Sequence, residues 1–239
     1  MLENNPIIVA LDCEPAEALA LAHALRGRAT WLKVGMTLFY AEGPDIVARL
    51  RELGFSVFVD LKLHDIPHQV AGAAAQIARL GAGMLTVHAS GGSEMMRAAV
   101  ESSRRAAEEV GLPAPAVLAV TVLTSTDDDG LAEVGVGRPA IEQVQLLAKV
   151  ARHAGVDGVV CSPREAALMR ELLGEEALVV TPGVRPEWSE VGDQARIATP
   201  AASIAAGASH LVIGRPITAA PVPAEAVDRI IAEIEGKLA

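Results

Sequence analysis

The sequence is poor in cysteine, in positive charge and in long apolar runs, and each shortage excludes a class of protein. Cys13 and Cys161 are its only cysteines, too few for a disulfide framework or a thiolate metal cluster, and both read as core residues. Lys and Arg number 20 against 30 Asp and Glu, a formal net charge of −10. Non-specific attraction to nucleic acid or to an anionic membrane is therefore disfavoured, and any bound anion needs a local site. No apolar run approaches the ~20 residues of a membrane span, and the opening MLENNPIIVALD lacks the basic start and apolar stretch of a signal peptide. The expectation is a cytoplasmic protein with neither a membrane nor a nucleic-acid partner. Linkers, low-complexity tracts and shifts of composition are also missing, so residues 1–239 are expected to form one domain.

What the chain has is apolar material, 51% of its residues, enough to bury a substantial core. Eight short runs read as strands: Ile7 to Leu11, Trp31 to Gly35, Ser56 to Leu61, Met84 to His88, Ala116 to Val122, Gly158 to Cys161, Leu178 to Thr181 and His210 to Gly214. Between them lie segments with apolar residues three and four apart, such as PDIVARLREL from Pro44, which predict helices. Several of these end at a glycine just before the next strand, Gly54, Gly81, Gly111, Gly155 and Gly207, as a left-handed helix stop requires. Strands apolar on both faces that alternate with helices indicate an α/β fold with a covered parallel sheet. Eight such units in 239 residues fit a (β/α)8 TIM barrel better than an open doubly wound sheet.

The stretch VDLKLHD, from Val59, departs from this apolar pattern. Alternation puts Asp60, Lys62 and His64 on one face and Val59, Leu61 and Leu63 on the other. In a barrel the carboxyl ends of the strands form the catalytic rim. Asp12 follows the first strand, Lys33 lies in the second, and Asp60 and Lys62 end the third, so all four can converge there. Two carboxylates and two ammoniums sum to zero charge, which lets a partly buried set remain ionised. The set could merely plug the barrel. It could also act, because a lysine flanked by carboxylates stays protonated and can donate a proton. A metal reading is open as well: His64 and His68, four apart, could join His88 and the aspartates around zinc, although Pro67 between them disturbs helical geometry.

An anion site is expected after the last two strands, the usual phosphate position of this fold. Gly214 and Arg215 in GRPIT offer a close backbone approach and a bidentate fork. TPGVRPEWSEVGDQARIATP adds Arg185, Gln194 and Arg196 on a long loop before a helix beginning near Thr199.

These residues resemble the orotidine 5′-monophosphate decarboxylase family. DLKLHDIP is similar to its Asp-x-Lys-x-x-Asp signature, and KVGMTLFYAEGP, VHASGG, VTVLTS, TPGVR, DQARIATP and VIGRPIT resemble its other landmarks in order. The resemblance implies conversion of orotidine 5′-monophosphate to uridine 5′-monophosphate without metal or other cofactor. It implies a catalytic set of Lys33, Asp60, Lys62 and Asp65, with Lys62 delivering the proton and Asp65 reaching the neighbouring site of a homodimer. Asp12 resembles a ribose contact and Thr124 a pyrimidine contact, while Arg185, Gln194, Gly214 and Arg215 resemble the phosphate site and its closing loop. Ile66, Gln69 and Pro182 fall on further substrate-contacting positions. One departure is visible: the family commonly reads Ile-Pro-Asn-Thr after the signature aspartate, and this chain reads Ile66, Pro67, His68, Gln69. The competing expectation is a metal-dependent sugar-phosphate decarboxylase or epimerase on the same barrel.

Overall fold

A computed structural model describes residues 5–189 and 198–237. Its strands are β1 (Ile7–Ala10), β2 (Trp31–Gly35), β3 (Ser56–Leu63), β4 (Met84–His88), β5 (Ala116–Val120), β6 (Gly158–Val160), β7 (Leu178–Pro182) and β8 (His210–Ile213). All eight are parallel and pair in sequence order, and β8 pairs with β1 to close a barrel. Around it run α1 (Pro15–Leu25), α2 (Met36–Glu42), α3 (Asp45–Glu52), α4 (Pro67–Arg79), α5 (Gly92–Glu109) and α6 (Asp128–Glu133). The circuit continues with α7 (Ala140–Ala154), α8 (Ala166–Leu173), α9 (Pro200–Ala205), α10 (Arg215–Thr218) and α11 (Pro223–Ile234). The (β/α)8 expectation is met. None of the described helices is long and apolar enough to cross a membrane.

The helices form where the three-and-four spacing places an apolar stripe against the strands: α3 buries Ile46, Val47 and Leu50 on one face. They stop where a glycine can turn left-handed. Gly155 closes α7 at φ +80 and ψ +25, and the other four expected stops likewise have positive φ.

Two apolar layers result from strand alternation. Outward side chains such as Val9, Leu32, Val57 and Leu85 pack against the helices. Inward ones, among them Ile8, Phe58, Met84, Leu118, Val180 and Val212, fill the barrel. At its amino-terminal end the Trp31 ring meets the His210 ring edge-on, centroids 5.9 Å apart at 83°. Moving two residues toward the carboxyl ends replaces Trp31 by Lys33 and Phe58 by Asp60, so the interior is apolar below and charged above.

Strand β3 carries the main irregularity. Val59 pairs with Leu85 and Leu63 with Val87, so β3 advances four residues while β4 advances two. The bulge contains Lys62, the only described non-glycine residue with positive φ, at +51. Extra residues in a strand bend it and re-aim side chains. Leu61 and Leu63 still pack outward against the helix-facing core, and Asp60 and Lys62 still point into the barrel. His64, expected on their face, lies one residue beyond the end of β3 at Leu63, exposed, with its ring 5.4 Å from that of His88.

Candidate active site

A row of alternating charges crosses the carboxyl-terminal mouth of the barrel. Lys33 Nζ donates to Asp12 Oδ1 at 2.8 Å and lies 3.6 Å from Asp60 Oδ2. Lys62 Nζ donates to Asp60 Oδ1 at 2.9 Å. The row is driest in its middle, since the side chains of Lys33 and Asp60 are 8% and 12% exposed whereas those of Asp12 and Lys62 at its ends are 60% and 27% exposed. Burial alone would raise the Asp60 carboxyl pKa. The ammoniums of Lys33 and Lys62, with hydrogen bonds from Lys62 and Thr86, outweigh that penalty and hold it below the usual carboxylate range. Asp60 is thus a buried, fixed negative charge between two cations.

Gly35, at the end of β2, makes room for this row. A Cβ there would come within 2.7 Å of Asp12 Oδ1 and 3.1 Å of Lys33 Nζ. The expected convergence of Asp12, Lys33, Asp60 and Lys62 is found.

The row forms one wall of a cavity of about 500 Å³. Thr124, Pro182, Arg185, Gly214 and Arg215 line the same cavity, so the phosphate-side residues expected from the sequence share it with the charged row. Between them Phe58, Val160 and Val212 make an apolar floor. A cavity lined by cations and by an apolar floor suits a flat ring that carries anionic groups. At Gly214 an added Cβ would make only ordinary contact, 3.7 Å from Ala10 Cβ; the fold itself leaves space there. Gln194 and Arg196 lie outside the described residues.

Asp65, Ile66 and Gln69 do not line the cavity. All three are exposed in the single chain, and the Asp65 carboxylate accepts the Ile66 backbone N–H at 2.6 Å. Three members of the expected set of four therefore meet in this chain and the fourth does not. His68 is exposed on the first turn of α4, apart from the His64 and His88 pair. Among the described residues no three His, Cys, Asp or Glu side chains cluster as metal ligands. Burial, with Glu17, Asp12 and Glu14, pushes the Cys13 thiol up to about 11, and burial raises that of Cys161 as well. Neither thiol is poised as a thiolate nucleophile; Cys161 is the core residue expected, whereas Cys13 is half-buried at the edge of the core.

Sequence reasoning missed Thr86, whose hydroxyl bonds Asp60 from β4. A lone threonine in an apolar strand reads only as a strand former. It also missed Trp188, whose ring is covered by the Arg229 guanidinium of α11 at 4.2 Å, tying the start of the long β7 loop to that helix.

The model of the orotidine 5′-phosphate decarboxylase / HUMPS family matches residues 5–230. The chain is 51% identical over 231 residues to an orotidine 5′-phosphate decarboxylase of Paramagnetospirillum magneticum, covering 96% of this chain and 98% of that one. A Moorella thermoacetica protein of the same name is 52% identical over 237 residues, covering 98% and 94%. The crystal structure of orotidine 5′-phosphate decarboxylase from Lactobacillus acidophilus superposes with a TM-score of 0.86 at 41% identity, covering 96% of this chain and 99% of that one.

Proposed function

Because the chain belongs to the orotidine 5′-phosphate decarboxylase / HUMPS family and converts orotidine 5′-monophosphate to uridine 5′-monophosphate and carbon dioxide in pyrimidine biosynthesis, we propose that fixed charge drives this reaction without a cofactor. Breaking the bond between ring carbon six and the carboxylate leaves an electron pair on that carbon with little resonance delocalisation. Asp60 lies against the departing carboxylate and disfavours the charged ground state. The Lys62 ammonium stabilises the pair as it develops and then gives it a proton, leaving a neutral amine that solvent reprotonates. Because Asp60 and the lysines hold one another in place, little reorganisation accompanies the step.

The observation that carries this reading is the Lys33, Asp60, Lys62 contact chain, with Asp60 held ionised despite burial. Asp12 and Lys33 hold the ribose, Thr124 and Pro182 contact the pyrimidine, and Gln194, Gly214, Arg185 and Arg215 hold the phosphate. Phosphate binding, remote from the broken bond, supplies binding energy that is spent at the reacting carbon. Two copies of the chain pair so that Asp65, Ile66 and Gln69 of each reach the other's cavity; their exposure in the single chain supports this. Gln69, in the place of the family's threonine, donates an amide N–H where a hydroxyl is usual. The whole chain acts as one barrel domain in the cytoplasm.

The test is turnover of orotidine 5′-monophosphate by purified protein in buffer containing a chelator, followed by pyrimidine absorbance and carbon dioxide release. Undiminished conversion supports charge-driven catalysis. Loss of activity that added divalent metal restores would favour instead the metal-dependent chemistry of a sugar-phosphate barrel.

A further inference from the structure

Thr86, in the middle of β4, makes two bonds with one hydroxyl. It accepts the Lys62 backbone N–H at 2.8 Å and donates to Asp60 Oδ1 at 3.0 Å. The same Asp60 oxygen accepts the Lys62 ammonium at 2.9 Å. The residue is 1% exposed and does not line the cavity. A closed ring results, running from the Lys62 backbone through Thr86 and Asp60 to the Lys62 side chain. It spans the bulge where Lys62 has φ +51, a conformation that residues with a side chain rarely keep without outside support. The regular β3 to β4 ladder is interrupted there, so the hydroxyl supplies the backbone partner that the bulge removes.

We propose that Thr86 is a positioning residue: its hydroxyl holds Lys62 in the left-handed turn that keeps the ammonium on Asp60 and aims it at the reacting carbon. The inference rests on the reading of Lys62 as proton donor and extends it to a side chain that touches no substrate. A purely structural role, filling space in β4, would need only the branched shape.

Valine keeps that shape and lacks the hydroxyl, while serine keeps the hydroxyl. For Thr86→Val we expect kcat to fall about 10- to 100-fold, the cost of a misplaced reacting group, with the dissociation constant for uridine 5′-monophosphate unchanged within about twofold. The acid limb of the kcat profile moves to higher pH, because Asp60 loses a bond that favours its ionised form. The other groups facing Asp60 are Lys33 from β2, Lys62 from β3 and His88 from β4; a Lys62 ammonium released from Asp60 moves the limb in the same direction, because it too favours the ionised carboxylate. Thr86→Ser is expected to keep both kcat and the acid limb near the parent's. If Thr86→Val does not fold, Thr86→Cys, whose thiol is a weak donor and acceptor, is measured in its place.

A folded Thr86→Val or Thr86→Cys protein with parental kcat and acid limb would overturn the proposal, as would a Thr86→Ser protein as impaired as the valine variant. Lys62→Ala separates this from the reading beneath it. If Lys62→Ala is inactive and Thr86→Val is not impaired, only the positioning role fails; if Lys62→Ala is active, the proton-donor role fails.

Discussion

The ammonium of Lys62 lies 2.9 Å from the carboxylate of Asp60, two residues earlier on the same strand, with the backbone between them turned left-handed at Lys62. In a regular strand, residues two apart share a face but are held by nothing more than the pleat. Here the bulge and the cross-strand bond to Thr86 fix the pair at the mouth of the barrel, against an apolar floor where charge is strongly felt.

Space beside this row is limited at Gly35. Its φ of −88 and ψ of −177 are extended backbone that other residues adopt, so the glycine is needed for room rather than for conformation. Gly35→Ala would press a methyl group on Asp12 and Lys33. We expect KM for orotidine 5′-monophosphate to rise about tenfold, the effect of about 1.4 kcal/mol, with the thermal midpoint changed by only a few degrees. Steady-state kinetics beside a melting curve checks both.

Stability should fall on acidification through half-buried imidazoles. Burial lowers the pKa of His210, and burial followed by His64 and Lys62 lowers that of His88. The folded state then binds fewer protons than the unfolded one below the ordinary histidine pKa of about 6.5. The stability from the neutral rings is complete above that pH and is lost as pH falls through the depressed folded values. His210→Phe keeps an aromatic edge for Trp31 and removes one titrating ring. Its melting temperature is expected to fall less than the parent's between pH 7 and pH 5; parallel curves would remove His210 from the pH response.

Much of this site is legible in the amino-acid sequence. The charged alternation in VDLKLHD marks the inner face of β3, and Gly54, Gly81, Gly111, Gly155 and Gly207 mark the helix stops, because both signals are local. The ends of β3 and β5 differ by two residues from those the apolar runs suggest, falling at Leu63 and Val120, since strands taper unevenly at a barrel rim. The bulge is not legible, because the conformation of Lys62 is set by a hydroxyl 24 positions away. Nor can alternation place His64, because it lies beyond the last residue of the strand.

Shared sites between two copies of the chain can be tested by mixing. Lys62→Ala and Asp65→Ala proteins are each expected to be nearly inactive alone. Mixed dimers would combine an intact Lys62 from one protomer with an intact Asp65 from its partner. Since half of randomly formed dimers are mixed and each holds one intact site, about a quarter of parental activity is expected to return. No recovery after unfolding and refolding the mixture would contradict sharing of Asp65 across an interface.

The most direct measurement is kcat of Lys62→Ala on orotidine 5′-monophosphate, taken with its circular dichroism spectrum and its affinity for uridine 5′-monophosphate. Proton delivery and charge stabilisation by one group predict a loss of at least about 10⁴-fold in a folded protein that still binds product. A folded variant within about tenfold of parental kcat would contradict proton delivery by Lys62.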